Sequence, residues 1–252
     1  MRFGDAVFRL FVALAVVQLV GEALVWRELM AVVKPLLIPL LAWAWWRSVP
    51  QASAPVRRLM MVFYAASWVG DVALLLAPEG PADVAILGVP KHGLWFLVGV
   101  AAFAVAHGAL IGLMRSLAAS DQPWAGRWWW WVPAPVWVAA LGGVVVPAVL
   151  ADPERAMAAG PVAAYGALLV AVVSAALGRA GRTVDASFRV TLAGAVVFLL
   201  SDSSIGVVHL VHRGQVPLGG LLIMSTYLAA EVLLGHGLAL GITPERGQQG
   251  PS

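Results

Sequence analysis

Apolar residues run along this chain in long, nearly unbroken stretches, separated by short clusters of proline, glycine and charge. Eight stretches predict membrane-crossing helices at about 7–25, 30–46, 58–77, 95–114, 129–150, 161–178, 190–211 and 218–241. Each is near the roughly 20 apolar residues that a bilayer core requires. The breaks include Val49-Pro50-Gln51, Pro78-Glu79-Gly80-Pro81, Asp121-Gln122-Pro123, Asp152-Pro153-Glu154 and Arg213-Gly214-Gln215. The runs lack the period-2 alternation of a barrel strand, so a β-barrel does not fit. Pro35 and Pro39 predict a kink or tilt in the second span, and Pro133, Pro135 and Pro147 crowd the fifth. Arg2 and Arg9 precede an apolar run, but Gln18 and Glu22 follow without a small-x-small cleavage site, so it reads as a retained first helix. The expectation is an all-α integral membrane protein, a single polytopic domain over 1–242 with a short disordered cytoplasmic tail over 243–252.

Composition agrees with this pattern. Hydrophobic residues make up 61% of the 252 residues and charged residues only 12%, where a water-soluble domain carries about 25% charge. The net charge of +3 is scattered between apolar runs, which excludes nucleic-acid binding. The absence of cysteine excludes disulfides, thiol catalysis and thiolate metal sites. Position makes the basic residues informative. Arg2, Arg9, Arg47, Arg57, Arg58, Arg115, Arg127, Arg179, Arg182, Arg189 and Arg246 fall at the N-terminus, in alternate loops and in the tail, against Arg27, Lys91, Arg155 and Arg213 on the other side. By the positive-inside rule both termini are cytoplasmic, in a multi-pass protein of the cell membrane. Trp43, Trp45, Trp46 and Trp128 to Trp131 fall where interfacial anchors sit.

Ionisable groups inside spans are costly and face a bundle interior or a cavity. Here they are Glu22, Lys34, Asp71, His107, Asp202, His209 and Glu231, with His236 nearer one end. Asp71 lies 13 residues after Arg58 and Asp202 13 residues after Arg189, which puts both carboxyls about 20 Å from the cytoplasmic boundary. Lys34, Tyr165 and Tyr227 fall in the same outer layer, and His107 and Glu231 fall deeper. The settings of Asp71 and Asp202, each in the third span of its half, admit a weak four-plus-four repeat. Two carboxyls near a lysine admit three readings. They can form a charge-compensated cluster that fixes packing, an acid/base pair of the kind that adds water, or the acids of a proton-coupled lipid or small-solute transporter. His107 fits a core histidine as well as a catalytic one. No metal-ligand spacing, nucleophile elbow or phosphate loop occurs.

Several segments resemble a known family. Lys34-Pro35-Leu36-Leu37 resembles the Lys-Pro element of YhhN-like membrane proteins, and Ser67-Trp68-Val69-Gly70-Asp71 with Leu74 resembles their Ser-x-x-Gly-Asp-x-x-Leu motif. Gly99, Phe103, Ala106 and His107 match a Gly-x-x-x-Phe-x-x-Ala-His segment. Gly194, Phe198, Ser201 and Asp202 match Gly-x-x-x-Phe-x-x-Ser-Asp. Thr226-Tyr227 with Ala230 and Glu231 resembles a closing Thr-Tyr-x-x-Ala-Gln, departing from it at Glu231. The elements keep the family's order across the second to eighth spans. The resemblance implies an eight-span lysoplasmalogenase that hydrolyses the vinyl ether of a lysophospholipid to a fatty aldehyde and glycerophosphoethanolamine or glycerophosphocholine. It marks Lys34, Asp71, His107, Asp202 and Tyr227.

The expected chemistry is carboxylate acid–base catalysis by Asp71 and Asp202, with Lys34, His107, Tyr165, Tyr227 and Glu231 supporting or binding substrate. It needs neither cofactor nor metal. The competing expectations are the transporter and a non-catalytic membrane scaffold.

Overall fold

The computed structural model describes residues 5–77, 85–86, 89–117, 133–151, 159–179, 185–212 and 215–242. Nine α-helices make up nearly all of these: α1 (Ala6–Leu24), α2 (Arg27–Ser48), α3 (Ala54–Leu76), α4 (Lys91–Ser116), α5 (Pro133–Ala140), α6 (Val146–Leu150), α7 (Ala159–Leu177), α8 (Ala186–Ile205) and α9 (Gly219–Ile242). A two-residue antiparallel pairing of β1 (Ala85–Ile86) with β2 (Val89–Pro90) precedes α4. Seven helices are long and apolar enough to cross a membrane, and a shorter apolar helix spans Ala134–Leu150. That short one is the fifth predicted span. The predicted tail over 243–252 and the Trp128–Trp131 run lie outside the described residues.

Local chemistry sets the helix ends. Asp5 caps α1 by accepting from the Val7 N–H at 3.0 Å, and Asp185 caps α8 through the Phe188 N–H at 2.6 Å. Only Val25 and Trp26 separate α1 from α2. Val25 turns the chain in the left-handed region at φ 53°, with the Trp26 N–H returning to the Gly21 carbonyl.

Proline shapes the fifth span. Pro147 has no N–H for the Gly143 carbonyl, and the ladder widens there to a π-turn over Leu141–Val145, in which the Val146 N–H bonds the Leu141 carbonyl. A second π-turn, Gly206–Val211, continues α8 and contacts the first. Hydropathy carried no sign of either, because a π-turn changes the hydrogen-bond register and leaves the apolar content unchanged.

The most extensive packing is α8 on α9 and α3 on α4. Small residues permit it, as expected where dispersion and hydrogen bonds replace the hydrophobic drive. A Cβ on Gly194 would lie 2.8 Å from the Leu234 backbone nitrogen, and one on Gly237 would lie 2.5 Å from that of Thr191. Beside this contact the Arg179 guanidinium donates to Thr191 Oγ1 (2.7 Å) and Ser187 Oγ (3.0 Å), and Ser187 donates to the Gly237 carbonyl (2.7 Å). A residue that the sequence counts as a loop charge therefore clamps α7, α8 and α9 together. Trp45 is likewise a core residue and not an interfacial anchor, at 0% exposure, whereas Trp43 and Trp46 are exposed and Arg57 stacks over Trp46.

Gly237→Ala forces two backbones apart, and overpacking of this kind costs about 1–3 kcal/mol. A lowered midpoint of thermal unfolding in detergent is expected. Gly143→Ala, whose new methyl would meet nothing within 4 Å, serves as the control that leaves the midpoint in place or raises it.

Candidate active site

Proline starts the construction of the site. Pro39 lacks the N–H that would otherwise bond the Pro35 carbonyl, and the Trp68 indole on α3 donates to that carbonyl at 2.9 Å. The bond pins α2 to α3 one residue from Lys34 and three from Asp71. Lys34 Nζ then lies 3.4 Å from Asp71 Oδ1, with the two side chains 18% and 5% exposed. Tyr227 from α9 donates its hydroxyl to Asp71 Oδ2 at 2.8 Å. Both oxygens of Asp71 are thus occupied, one by a cation and one by a phenol.

Asp202 is held differently. Tyr165 of α7 donates to its Oδ2 at 2.5 Å, and His107 Nε2 of α4 lies 3.9 Å from the same oxygen. The other ring nitrogen, Nδ1, is 2.5 Å from the Phe103 carbonyl and must be the donor there, since a carbonyl only accepts. In a neutral ring Nε2 is then a bare acceptor facing Asp202. Ser201 places the aspartate by bonding across to the Ile223 carbonyl at 3.2 Å.

Three aromatic rings join the two halves. Phe198 packs edge-on against both His107 (centroids 4.8 Å) and Tyr227 (5.9 Å), and Phe103 meets Tyr227 edge-on at 6.1 Å. The Phe103 ring lies over Gly70, where a Cβ would come within 2.6 Å of it. Asp71 lies within Coulombic range of Asp202.

Lys34, Asp71, His107, Tyr165, Asp202, Tyr227 and Glu231 are brought together. His107, expected deeper than the aspartates, reaches Asp202 with its side chain. Glu231, 0% exposed, lies one turn beyond Tyr227 with neither carboxyl oxygen in a hydrogen bond of full geometry. Glu22 pairs with Gln18 at 3.1 Å on α1, and His209 lies on an exposed face of the second π-turn. Among the described residues no three His, Asp or Glu side chains are arranged to hold a metal ion.

An apolar cleft opens on Asp202. It is a narrow cleft of about 80 Å3, partly open to the surroundings. Phe96, Val100, Trp137, Leu141, Val145 and Leu169 form much of its wall, with Tyr165 and Asp202 as polar points. Both π-turns contribute to it, through Leu141, Val145 and Gly206. Trp137 was not singled out by sequence. Its indole N–H is buried without a partner and packs over Gly166, a contact with no sequence signal because the two lie on different helices.

These features define a polytopic helical membrane protein with two buried aspartates, one beside a lysine and one beside an apolar cleft. More narrowly, the chain belongs to the YhhN family, whose model matches residues 29–238. No curated protein and no solved structure matches it.

Removing Lys34 alone strands a buried carboxylate, whereas removing both charges does not. Lys34→Met is expected to destabilise the fold by up to about 3 kcal/mol. Lys34→Met/Asp71→Asn is expected to recover much of that loss. Thermal unfolding of the singles and the double in detergent measures the coupling, and additive losses would show that the two groups do not interact.

Proposed function

We propose that this protein is a membrane-embedded hydrolase that cleaves the vinyl ether bond of lysoplasmalogens. The observation that carries this reading is a buried carboxyl, Asp202, on the wall of an apolar cleft, with a second carboxyl in electrostatic reach. The alkenyl chain occupies the cleft and brings the double bond to Asp202. A carboxylic acid there, with the Tyr165 phenol and the His107 imidazole as neighbours, donates its proton to the β-carbon. The carbon next to the ether oxygen becomes an oxocarbenium ion, and the Asp202 carboxylate left behind stabilises it. Water adds to that carbon and gives its proton to Asp71, whose anionic form has Lys34 as counter-ion. The resulting hemiacetal collapses to the fatty aldehyde and the glycerophospho-alcohol, its hydroxyl proton going to the departing alkoxide, and return of the proton from Asp71 to Asp202 restores the starting state, so one water is consumed and no net proton is gained or lost. Paired carboxyls flank an oxocarbenium-like transition state in glycoside hydrolysis in the same way. Lys34 faces Asp71, which leaves the phosphate headgroup to the membrane interface.

A proton-coupled transporter would favour broken helices at matched positions of its two halves. The two π-turns here both fall in the second half of the chain, in the fifth and seventh spans. No feature of the site favours the transporter over the hydrolase.

Purified protein given lysoplasmalogen is expected to release free aldehyde. Asp202→Asn and Asp71→Asn are each expected to reduce the rate by about 10²-fold or more, the usual worth of a general acid or base. Full activity in both variants would remove the pair from the mechanism. No aldehyde from folded wild type, with any headgroup, would remove the hydrolase.

The cell-membrane topology proposed with this function has both termini in the cytoplasm. The chain contains no cysteine, so single cysteines report sidedness directly. In intact cells a membrane-impermeant maleimide is expected to spare Ser252→Cys and to label Ala156→Cys, which precedes α7 in the sequence. The opposite pattern would invert the topology.

A further inference from the structure

Polar groups continue past Asp71 along a line that the chemistry above does not use. Tyr64, Ser67 and Asp71 recur on α3 at i, i+3 and i+7, hence on one face of the helix, and Tyr227 and Glu231 face them from α9 at i and i+4. Tyr64 is 1% exposed, and Ser67 and Glu231 are fully buried. The Tyr64 hydroxyl, Ser67 Oγ and both Glu231 oxygens make no hydrogen bond of full geometry. They are neighbours, with the Ser67 and Tyr227 hydroxyls in hydrogen-bonding reach of Glu231 and Glu231 in electrostatic reach of Tyr64. Four polar atoms so incompletely satisfied in one buried column are costly in a protein interior, where nearly all such groups are fully bonded. Buried water, which makes about three hydrogen bonds per molecule, is the usual remedy.

The column also answers a need of the reaction. None of Tyr64, Ser67 and Glu231 lines the apolar cleft, and a cleft filled by a hydrocarbon chain gives water no path to the oxocarbenium carbon. Tyr64 lies seven residues from Asp71, about 10 Å along α3, toward the end that carries Arg57 and Arg58.

We propose that Tyr64, Ser67 and Glu231 form a buried water-binding column that feeds the hydrolytic water to Asp71 from outside the lipid cleft. The supply role rests on the hydrolase reading above, and the water binding does not. The carboxyl at Glu231, where the family's motif has Gln, gives the column a side chain whose two oxygens can both accept from water.

Millisecond radiolytic labelling in ¹⁸O-water reports bound water next to a side chain without needing turnover. Tyr64 of the wild-type protein is expected to take up label well above buried Phe63, its neighbour in the chain. Ser67→Val and Glu231→Leu are each expected to abolish that excess and to lower kcat roughly tenfold with KM little changed. Glu231→Gln, which keeps two polar atoms, is expected to retain the label, and it replaces Glu231→Leu if that variant does not fold. Tyr64 labelling no higher than that of Phe63, or labelling and kcat unmoved by Ser67→Val, overturns the proposal. Absence of aldehyde from the wild type overturns the hydrolase and the supply role together, while the labelling still decides whether the column is wet.

Discussion

A carboxylate deep in a membrane protein has no bulk water to solvate it, so its neighbours must do so. The contact of Asp71 with Lys34 and Tyr227 meets that demand, and much of the architecture exists to bring those three groups together. Lys34 comes from α2, Asp71 from α3 and Tyr227 from α9, so the cluster joins elements far apart in sequence. Tyr227 is also the ring on which Phe103 and Phe198 both pack. The group that satisfies Asp71 is therefore the same one that sets the distance to the Asp202 half of the site.

The two halves are built alike and finished differently. Each aspartate sits on the first member of a closely packed antiparallel pair, α3 with α4 and α8 with α9. In each pair a glycine lets the partner approach, Gly70 under the Phe103 ring and Gly194 against the backbone at Leu234. This arrangement suits the four-plus-four repeat. The finishing sets the roles apart, since Asp71 is enclosed by a cation and a phenol while Asp202 borders the cleft. In the proposed reaction this puts the acid where the lipid arrives and the charge compensation elsewhere.

Most of the helices were legible in the sequence because apolar length is a strong signal in a membrane protein. The second and third spans agree with prediction to within a few residues. The seven residues of the candidate site stood out in the sequence for a related reason, since polar side chains are few in such spans. What sequence did not carry was register and partnership. The contact of His107 with Asp202, the two π-turns, the burial of Trp45 and the clamp made by Arg179 all depend on how one helix is offset against another. Hydropathy is summed along one helix at a time, so none of these leaves a trace in it. Glu231 was visible as a departure from the family's motif, but its polar neighbours on α3 emerged only when the two helices were set side by side.

The Trp68 hydrogen bond to the Pro35 carbonyl has a consequence for how such a chain can change over generations. Position 39 is a proline, so the helix supplies no N–H of its own to that carbonyl, and the indole is what satisfies it. Any other residue at 39 would add a second donor to the same oxygen, which has two lone pairs, and the indole could then be dispensed with. The weight that falls on Trp68 is therefore set by a residue on another helix, 29 positions away, and a substitution at Trp68 costs less once Pro39 is gone than before.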